Sequence, residues 1–495
     1  MKKILIAPMF CILGVLNSQN LTINSGGSLV MQNETNLTIP GDYTNSGGTF
    51  TINSGSSFIV NGSSSGDITY NRTLSTTNWY LISSPVVGET IQDVISNHDF
   101  ATGSGSNIGL ATYTTSNNTW NYFTSSTTGT ISSGTGYAVK LASAGDISFS
   151  GTMKVDDASI ALTTSGSNGF NLVGNPYPSF IAANNSADGT NNILKVNDTD
   201  NDYLTEATLW FWNQSTDTYD QINHATLARH IAPGQGFFVS SNGSNNFSIT
   251  EDMQSHQGTD TFQRPSTRPE ILLTMTDGSD TSNADIFYIE GTTTGWDNGY
   301  DSSIFGGVAN DFTIYTHLVS DSDGQDLGIQ SLPPDNYENM IIPVGINAIS
   351  GTEISIDASI TNFPEGMNVY LEDKEDDSFT LLDGSANFTT TLASDLNGIG
   401  RFYLHTTAGS LGADDLSMNN NISIYTSSRE NLRIVGVQNG TATVQLYNIL
   451  GKEVFRTTFE GTGMNDIQLP SLPQGMYIVN LGTVNGTINK KIIIQ

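Results

Sequence analysis

Leu432-Arg433-Ile434-Val435-Gly436-Val437 is followed by Asn439-Gly440 and then by Ala442-Thr443-Val444-Gln445-Leu446-Tyr447. Apolar and polar residues alternate in both runs, as they do in strands with one buried face. Asn-Gly favours a two-residue hairpin turn, because both positions accept positive φ. Similar short runs continue to the end of the sequence. Residues 422–495 are therefore predicted to form about seven short strands of a small β-sandwich.

Two motifs in this stretch are similar to signatures of a known family. They are Val444-Gln445-Leu446-Tyr447-Asn448-Ile449-Leu450-Gly451-Lys452-Glu453-Val454 and Leu472-Pro473-Gln474-Gly475-Met476-Tyr477-Ile478-Val479, and a basic, β-rich tail follows them. Together they resemble the type A sorting domain of the Bacteroidota type IX secretion system. The resemblance implies recognition by the outer-membrane translocon and its shuttle barrel. It also implies cleavage by a sortase, which leaves the cargo linked to lipopolysaccharide or released.

The resemblance also points to particular residues of the sorting signal. Gly475 is expected at a turn, Tyr477 in the core, and the lysines near the end are expected to supply local positive charge. The expected sorting residues are Gly451, Lys452, Gly475, Tyr477, Lys490 and Lys491.

The opposite end has the pattern of a secretory signal peptide. Met1-Lys2-Lys3 precedes an apolar run from Ile4 to Leu16, which is too short to cross a membrane as a stable helix. We expect residues 1–19 to be removed. Cys11, the single cysteine of the sequence, lies in that run. The mature chain then has no thiol for a disulfide, a nucleophile or a metal site.

Composition narrows the class of fold and of ligand. The net charge is −31 at pH 7, although charged residues make up 13% of the sequence. This acidic excess argues against nucleic acid and anionic membranes as ligands. Helical periodicity is nearly absent and β-branched residues are common. The predicted fold is all-β, a multi-domain string of β-sandwich-like modules with a short N-terminal β-solenoid-like region.

Residues 20–71 contain an internal echo. Phe50–Val60 repeats the pattern of Leu21–Met31 at an offset of 29 residues. Apolar pairs that recur between Asn, Ser and Gly turns predict stacked rungs or a repeated hairpin, with a flexible spacer as the alternative.

A second repeat predicts two homologous β-modules, residues 72–160 and 161–264. Both copies have an aromatic pair seven residues apart, and both have a motif with two glycines. The matched segments are Trp79–Pro85 with Phe170–Pro176, Tyr113/Trp120 with Trp212/Tyr219, Ile131–Val139 with Ile231–Val239, and Ile147–Phe149 with Phe247–Ile249. Core packing is the favoured role of the aromatic residues. If the modules bind carbohydrate, the candidate platform is Trp120, Trp210, Trp212 and Tyr219.

Two acidic loops are candidate calcium sites, because alternate carboxylates can converge on a hard cation. One is Asp198, Asp200 and Asp202, and the other is Asp321, Asp323 and Asp326. A solvated acidic loop is the alternative for both, and we expect no other cofactor.

Residues 265–407 are predicted to form a third module. It resembles a β-sandwich module found upstream of sorting domains in large Bacteroidota surface proteins, a family mostly without defined activity. Its aromatic–acidic loop contains Trp296, Asp297, Tyr300 and Asp301, for which a structural clamp is favoured over a catalytic carboxylate pair. The polar stretch 408–421 is predicted to be a linker and the site of sortase cleavage.

The sequence contains no motif for a nucleophile, a zinc hydrolase or a phosphate-binding loop. We therefore expect a non-enzymatic, adhesin-like protein on the cell surface or secreted, serving attachment or gliding motility. The alternatives are a carbohydrate-binding accessory protein and a hydrolase. An exposed aromatic row would favour sugar binding, whereas two buried carboxylates in a cleft would favour hydrolysis.

Overall fold

The described residues are almost entirely β-strand. The computed structural model describes residues 19–165, 168–257, 267–305, 311–334, 340–384, 387–407, 423–428, 431–448, 451–483 and 486–494. The predicted all-β, multi-domain fold is confirmed. The linker 408–421, and the predicted signal peptide up to residue 18, lie outside these ranges. Within them, no helix is long and apolar enough to cross a membrane.

The chain divides into two compact units. The first contains Met1–Glu365 and Leu382–Leu404, and the second contains Gly366–Leu381 and His405–Gln495. Residues 366–381, which the sequence places in the module 265–407, thus belong to the second unit.

The first unit begins with three ladders of parallel strands, β1-β4-β7, β2-β5-β8 and β3-β6. Their strands are β1 (Leu21–Asn24), β2 (Ser28–Met31), β3 (Asn36–Ile39), β4 (Tyr43–Ser46), β5 (Thr49–Ile52), β6 (Ser57–Val60), β7 (Ser64–Ser65) and β8 (Asp67–Leu74). Leu21 pairs with Tyr43 and Leu29 with Phe50, so the chain returns after 22 or 21 residues. The sequence echo at 29 residues was wrong in phase. Similar apolar pairs occur more than once in each turn of chain, so the echo matched Leu21 to Phe50 instead of Leu29.

The parallel ladders share a core with the first module. Tyr43, Phe50 and Phe58 pack together with ring centroids 4.9–5.6 Å apart. β8 pairs with β5 on one side and with β13 (Gly145–Thr152) on the other. One apolar cluster therefore extends from the ladders through the first module.

The two predicted homologous modules have the same strand order. The sheet β11-β10-β12-β9 of the first corresponds to β18-β17-β20-β15 of the second, and the pair β8–β13 corresponds to β14–β21. The remaining elements are β9 (Tyr80–Ser83), α1 (Ile91–Asn97), β10 (Asn107–Thr114), β11 (Thr119–Thr124), β12 (Gly136–Val139), β14 (Ala158–Ala161), β15 (Phe170–Gly174), β16 (Phe180–Ala182), β17 (Leu209–Asn213), β18 (Thr218–Ile222), β19 (His230–Ile231), β20 (Gly236–Ser240), β21 (Asn246–Ile249) and β22 (Gln254–Ser255).

The repeated glycine motifs form the contact between these modules, and the contact is reciprocal. Ser83 N donates to Gly234 O at 3.0 Å, and the equivalent Gly174 N donates to Gly134 O at 2.8 Å. A Cβ atom at Gly236 would lie 2.8 Å from Ile82 O. The modules can approach this closely because glycine has no side chain.

The rest of the first unit is a larger sheet with the order β28-β26-β27-β24-β23-β29-β32, and β25 lies beside β27. β24 and β27 are parallel, and the other listed neighbours are antiparallel where their register is resolved. The elements are β23 (Glu270–Thr276), β24 (Thr281–Tyr288), β25 (Ser302–Ser303), β26 (Thr313–Thr316), β27 (Leu327–Leu332), β28 (Ile341–Ala348), β29 (Glu353–Thr361), β30 (Asn368–Asp373), β31 (Ser378–Leu381), β32 (Phe388–Thr391) and β33 (Leu396–Thr407).

The second unit contains the β30–β31 hairpin and a five-stranded sheet. The sheet is formed by β34 (Ser423–Ser428), β35 (Asn431–Asn448), β36 (Glu453–Gln468), β37 (Gly475–Thr483) and β38 (Gly486–Ile494). The predicted hairpin at Asn439-Gly440 was wrong, because this dipeptide lies inside the long strand β35. Both halves of β35 pair with β36, and the register shifts near Gln438. Continuous pairing with one partner thus overrides the local turn preference.

Replacing Gly236 with alanine should destabilise the first unit. The new Cβ would meet backbone atoms of Leu81 and Ile82, which cannot move aside as a flexible side chain can. We expect a loss of about 1–3 kcal/mol in urea unfolding. Gly145→Ala is the matched control, since a Cβ there meets no atom within 4 Å. Equal stability of the two variants would contradict the close-contact role.

Candidate ligand-binding cleft

A cleft of about 950 Å³ lies in the first unit, between β18 and the sheet that contains β23 and β24. Residues 217–222 line it consecutively, whereas β23 and β24 contribute mainly alternate residues. A strand that faces a cavity with its side chains contributes every second residue. β18 therefore presents its edge to the cleft, and β23 and β24 present a face.

β18 is an edge strand of its sheet. It pairs with β17, with Trp212 opposite Tyr219, and its other side pairs with no strand of the described residues. Its outer backbone N–H and C=O groups are therefore available along the cleft.

The floor of the cleft is formed by paired residues of β23 and β24. Leu272 lies opposite Asp285, and Glu270 lies opposite Phe287. Arg268 donates to Glu270 at 2.7 Å, and its guanidinium carbon lies 4.0 Å from the ring centroid of Phe287. These contacts hold the guanidinium at the side of Glu270.

Negative charge is in excess around the cleft. Among the described lining residues, Arg268 carries the positive charge and six residues carry carboxylates: Asp217, Asp220, Glu270, Asp285, Asp311 and Asp395. Since Arg268 is already paired with Glu270, the other carboxylates lack a cation of similar proximity.

Asp285 is the most perturbed carboxylate of the cleft. Burial raises the pKa of Asp285 to about 7, the charges of Glu270 and Asp220 raise it further, and Arg268 opposes them. Its carboxylate accepts no hydrogen bond from the described residues. Burial also raises the pKa of Asp220, although Asn213 donates to this carboxylate at 3.3 Å. A buried carboxylate without donors is destabilising unless a ligand supplies them.

The segment that contains the aromatic–acidic loop closes the cleft at one end and docks on the second module. Phe305 lines the cleft, and its ring lies 4.1 Å from Tyr219 and 4.6 Å from Phe238. The buried carboxylate of Glu206 accepts from Ser303 N at 3.0 Å and from Ser303 Oγ. Burial still raises the pKa of Glu206 to about 6. These contacts fix the position of β18 over the floor.

The loop itself is held by its carboxylates. Asp301 is fully buried and accepts from Asp297 N and Ser331 N, each at 2.7 Å, while burial raises the pKa of Asp301 to about 7. Asp297 in turn accepts from Thr293 N at 2.6 Å. Backbone donors thus occupy both carboxylates, as a structural clamp requires.

Comparison with known proteins identifies two regions of the chain. A family described as a domain of unknown function, DUF8693, matches residues 9–405. The chain belongs to the DUF8693 family. A second family, the secretion system C-terminal sorting domain, matches residues 418–495. This DUF8693 protein is therefore a cargo of the type IX secretion system, and it is exported to the cell surface or secreted.

Other comparisons add little. No curated protein matches the chain. One similar solved structure is a polysaccharide lyase with 8% sequence identity and a TM-score of 0.14, and the match covers 48% of this chain and 42% of the lyase chain. At this TM-score the likeness carries no argument about the DUF8693 protein.

The candidate sugar platform is placed in and around the contact between the two modules. Trp210 is fully buried and donates to Ser303 O at 3.0 Å, and Trp212 donates to Trp79 O at 2.9 Å. Trp120 lies 6.1 Å from Phe238 between ring centroids. Tyr219 and Trp212 also line the cleft. The favoured packing role therefore describes these rings better than an exposed row does.

The two acidic loops are placed apart from the cleft. Asp200 pairs with Lys195 at 2.8 Å, Asp198 accepts from Asn298 at 3.3 Å, and Asp202 adopts a positive φ of 52°. Asp326 pairs with His317 at 2.8 Å, whereas Asp321 and Asp323 are exposed. Among the described residues, no three His, Cys, Asp or Glu side chains are grouped to hold a metal. Calcium stays a prediction, and it would need backbone oxygens or water as further ligands.

The sorting residues occupy different parts of the second unit. Gly451, with a φ of 76°, and Lys452 lie between β35 and β36, and Tyr477 is 5% exposed and donates to Pro473 O at 2.8 Å. Gly475 is the first residue of β37. Lys490 and Lys491 are exposed on β38, opposite Val479 and Ile478. Their roles in sorting stay predictions.

The sequence reasoning did not single out Asp220, Arg268, Glu270 or Asp285. They lie on strands of two modules, and a single acidic residue within a strand is a weak signal. Asp285 carried one clue, since it interrupts the apolar run Ala284 to Ile289.

Replacing Asp285 with asparagine should stabilise this DUF8693 protein at high pH. The folded pKa is about 7 and lies above the ordinary value of 3.8, so the folded state retains a proton that the unfolded state loses. The stability of the parent should therefore fall as pH rises from about 4 to about 7. Asparagine removes that loss, and we expect a gain of about 1–2 kcal/mol at about pH 8 and little change at about pH 5.

Thermal unfolding at both pH values measures this effect. Asp252→Asn is the control, because Asp252 is exposed and lies outside the cleft. A loss of stability in Asp285→Asn at the higher pH would mean that the carboxylate has a stabilising partner.

Proposed function

We propose that the exported chain is an adhesin-like protein that acts by binding a ligand in the cleft between β18 and β24. The supporting observation is the combination of a free strand edge and unneutralised carboxylates in one cleft of about 950 Å³. Binding clefts of this size bury most of a small ligand or a short segment of a larger one. Attachment of the cell to a surface, including attachment during gliding, is the activity that such a protein would serve.

The proposed partners in export are the translocon, its shuttle barrel and the sortase. Linkage to lipopolysaccharide after cleavage would retain the cleft at the outer surface. Release would make the same chain a soluble binding protein. A carbohydrate-binding accessory protein is the nearest alternative, since Trp212 and Tyr219 line the cleft.

Hydrolysis is a second candidate, because Asp220 and Asp285 are partly buried carboxylates of one cleft. A hydrolytic pair needs one carboxyl that keeps its proton beside one that stays ionised. Burial raises the pKa of both Asp220 and Asp285, so their environments do not separate these roles. We therefore propose binding without catalysis.

Immobilised external ligands test the binding proposal. Beads coated with the full chain should be retained on protein or glycan surfaces, and addition of soluble chain should release them. Soluble polysaccharides and peptides incubated with the chain should stay intact by mass spectrometry. Cleavage of a substrate, lost in Asp285→Asn, would replace binding with hydrolysis as the function.

Deletion of residues 418–495 should retain the protein in the periplasm, because the matched sorting domain is then absent. Cell fractionation measures the distribution of the parent and the truncated chain. A reporter fused to residues 418–495 is the reciprocal control and should reach the outside. Export of the truncated chain would show that another segment directs secretion.

A further inference from the structure

We infer that the cleft binds an extended segment of a basic polypeptide, which adds as a strand to the free edge of β18 and directs lysine or arginine side chains at Asp285 and Asp220. This inference rests on the proposed binding function and names the chemistry of its ligand.

The strand edge is the first argument. Residues 217–222 line the cleft consecutively, and the outer side of β18 has no strand partner in the described ranges. An extended peptide satisfies such an edge with main-chain hydrogen bonds, a common mode of peptide recognition. A sugar chain has no regular series of N–H and C=O groups with which to do so.

Charge is the second argument. Six carboxylate residues and Arg268 line the cleft, and Arg268 is bound to Glu270. A cationic ligand is attracted by this field, and an anionic or acidic partner is repelled. A second copy of this chain is a poor occupant for the same reason, because its net charge is −31.

The third argument is the unsatisfied carboxylate of Asp285. It accepts no hydrogen bond from the described residues, although the donors of Arg268 are two residues from Glu270 and lie near it. An ammonium or guanidinium group brings both the missing donor and the opposite charge. Binding would then remove the cause of the raised pKa.

Geometry gives the ligand a pattern. β18 has five residues, and alternate residues of an added strand point to the same side. A segment with lysine or arginine at every second position would therefore direct its charges to the floor, where Asp285 lies, and its remaining side chains away from it. The expected motif is basic–any–basic in an extended conformation.

The probe is a fluorescent peptide of about eight residues with alternating lysine and threonine. Fluorescence anisotropy with the full chain at low salt should show saturable binding that weakens as salt rises. A peptide with glutamate in place of lysine should not bind. Asp285→Asn should weaken binding at least about fivefold, whereas Asp252→Asn should not change it.

N-methylated peptides separate strand addition from charge attraction. Methylation of one alternate set of backbone nitrogens faces the β18 edge and should abolish binding, and methylation of the other set should be tolerated. If both methylated peptides bind as the parent does, strand addition is overturned. Tighter binding of a glucosamine oligomer than of the peptide would instead assign the cleft to an amino-bearing glycan.

Affinity should also depend on pH. Asp285 is faced by Glu270 and Arg268 from β23 and its preceding residue segment, and by Asp220 from β18. Protonation of Asp285 removes the charge that attracts the peptide, so affinity should fall between about pH 8 and about pH 6, and this dependence should shrink in Asp285→Asn.

Failure of the inference is distinguishable from failure of the proposed function. Coated beads that adhere to an external surface, without any affinity for basic peptides, would leave the binding function intact and overturn the ligand class. Beads that adhere to no surface, together with peptides that do not bind, would overturn both.

Discussion

Close backbone approach at the glycine motifs is the contact on which the first unit depends. Gly136 and Gly236 allow equivalent strands of two homologous modules to meet, and the hydrogen bonds to Gly134 and Gly234 repeat the contact in both directions. This contact holds the sheet that contains β18 in place. The edge of β18 can line a cleft only because its own sheet is anchored on the other side.

The cleft combines a rigid frame with an unfavourable interior. Glu206, Trp210 and Phe305 join the second module to the next sheet through buried hydrogen bonds and ring contacts. Asp285, in contrast, lies in the floor without a donor. Local groups that lower stability while their surroundings are well satisfied are typical of binding and catalytic sites.

Much of the fold was predictable because it repeats along the chain. The paired glycines and the aromatic residues seven apart identified two modules, whose strand orders agree. Asn439-Gly440 misled, because pairing with β36 decides its conformation and is not visible locally. The cleft was not predictable, since Asp220 and Asp285 are far apart in sequence and become neighbours only when two modules dock. Sequence motifs therefore gave the export route and the modules, and long-range packing gave the site.

Phe305 belongs both to the wall of the cleft and to the aromatic cluster between the modules. A tethered ligand held between β18 and β24 would pull on two modules at once. The tension would be shared by the aromatic cluster and by the bonds of Glu206 to Ser303, which cross the same junction. For a protein that anchors a cell against flow, mechanical strength at this junction would matter as much as equilibrium affinity.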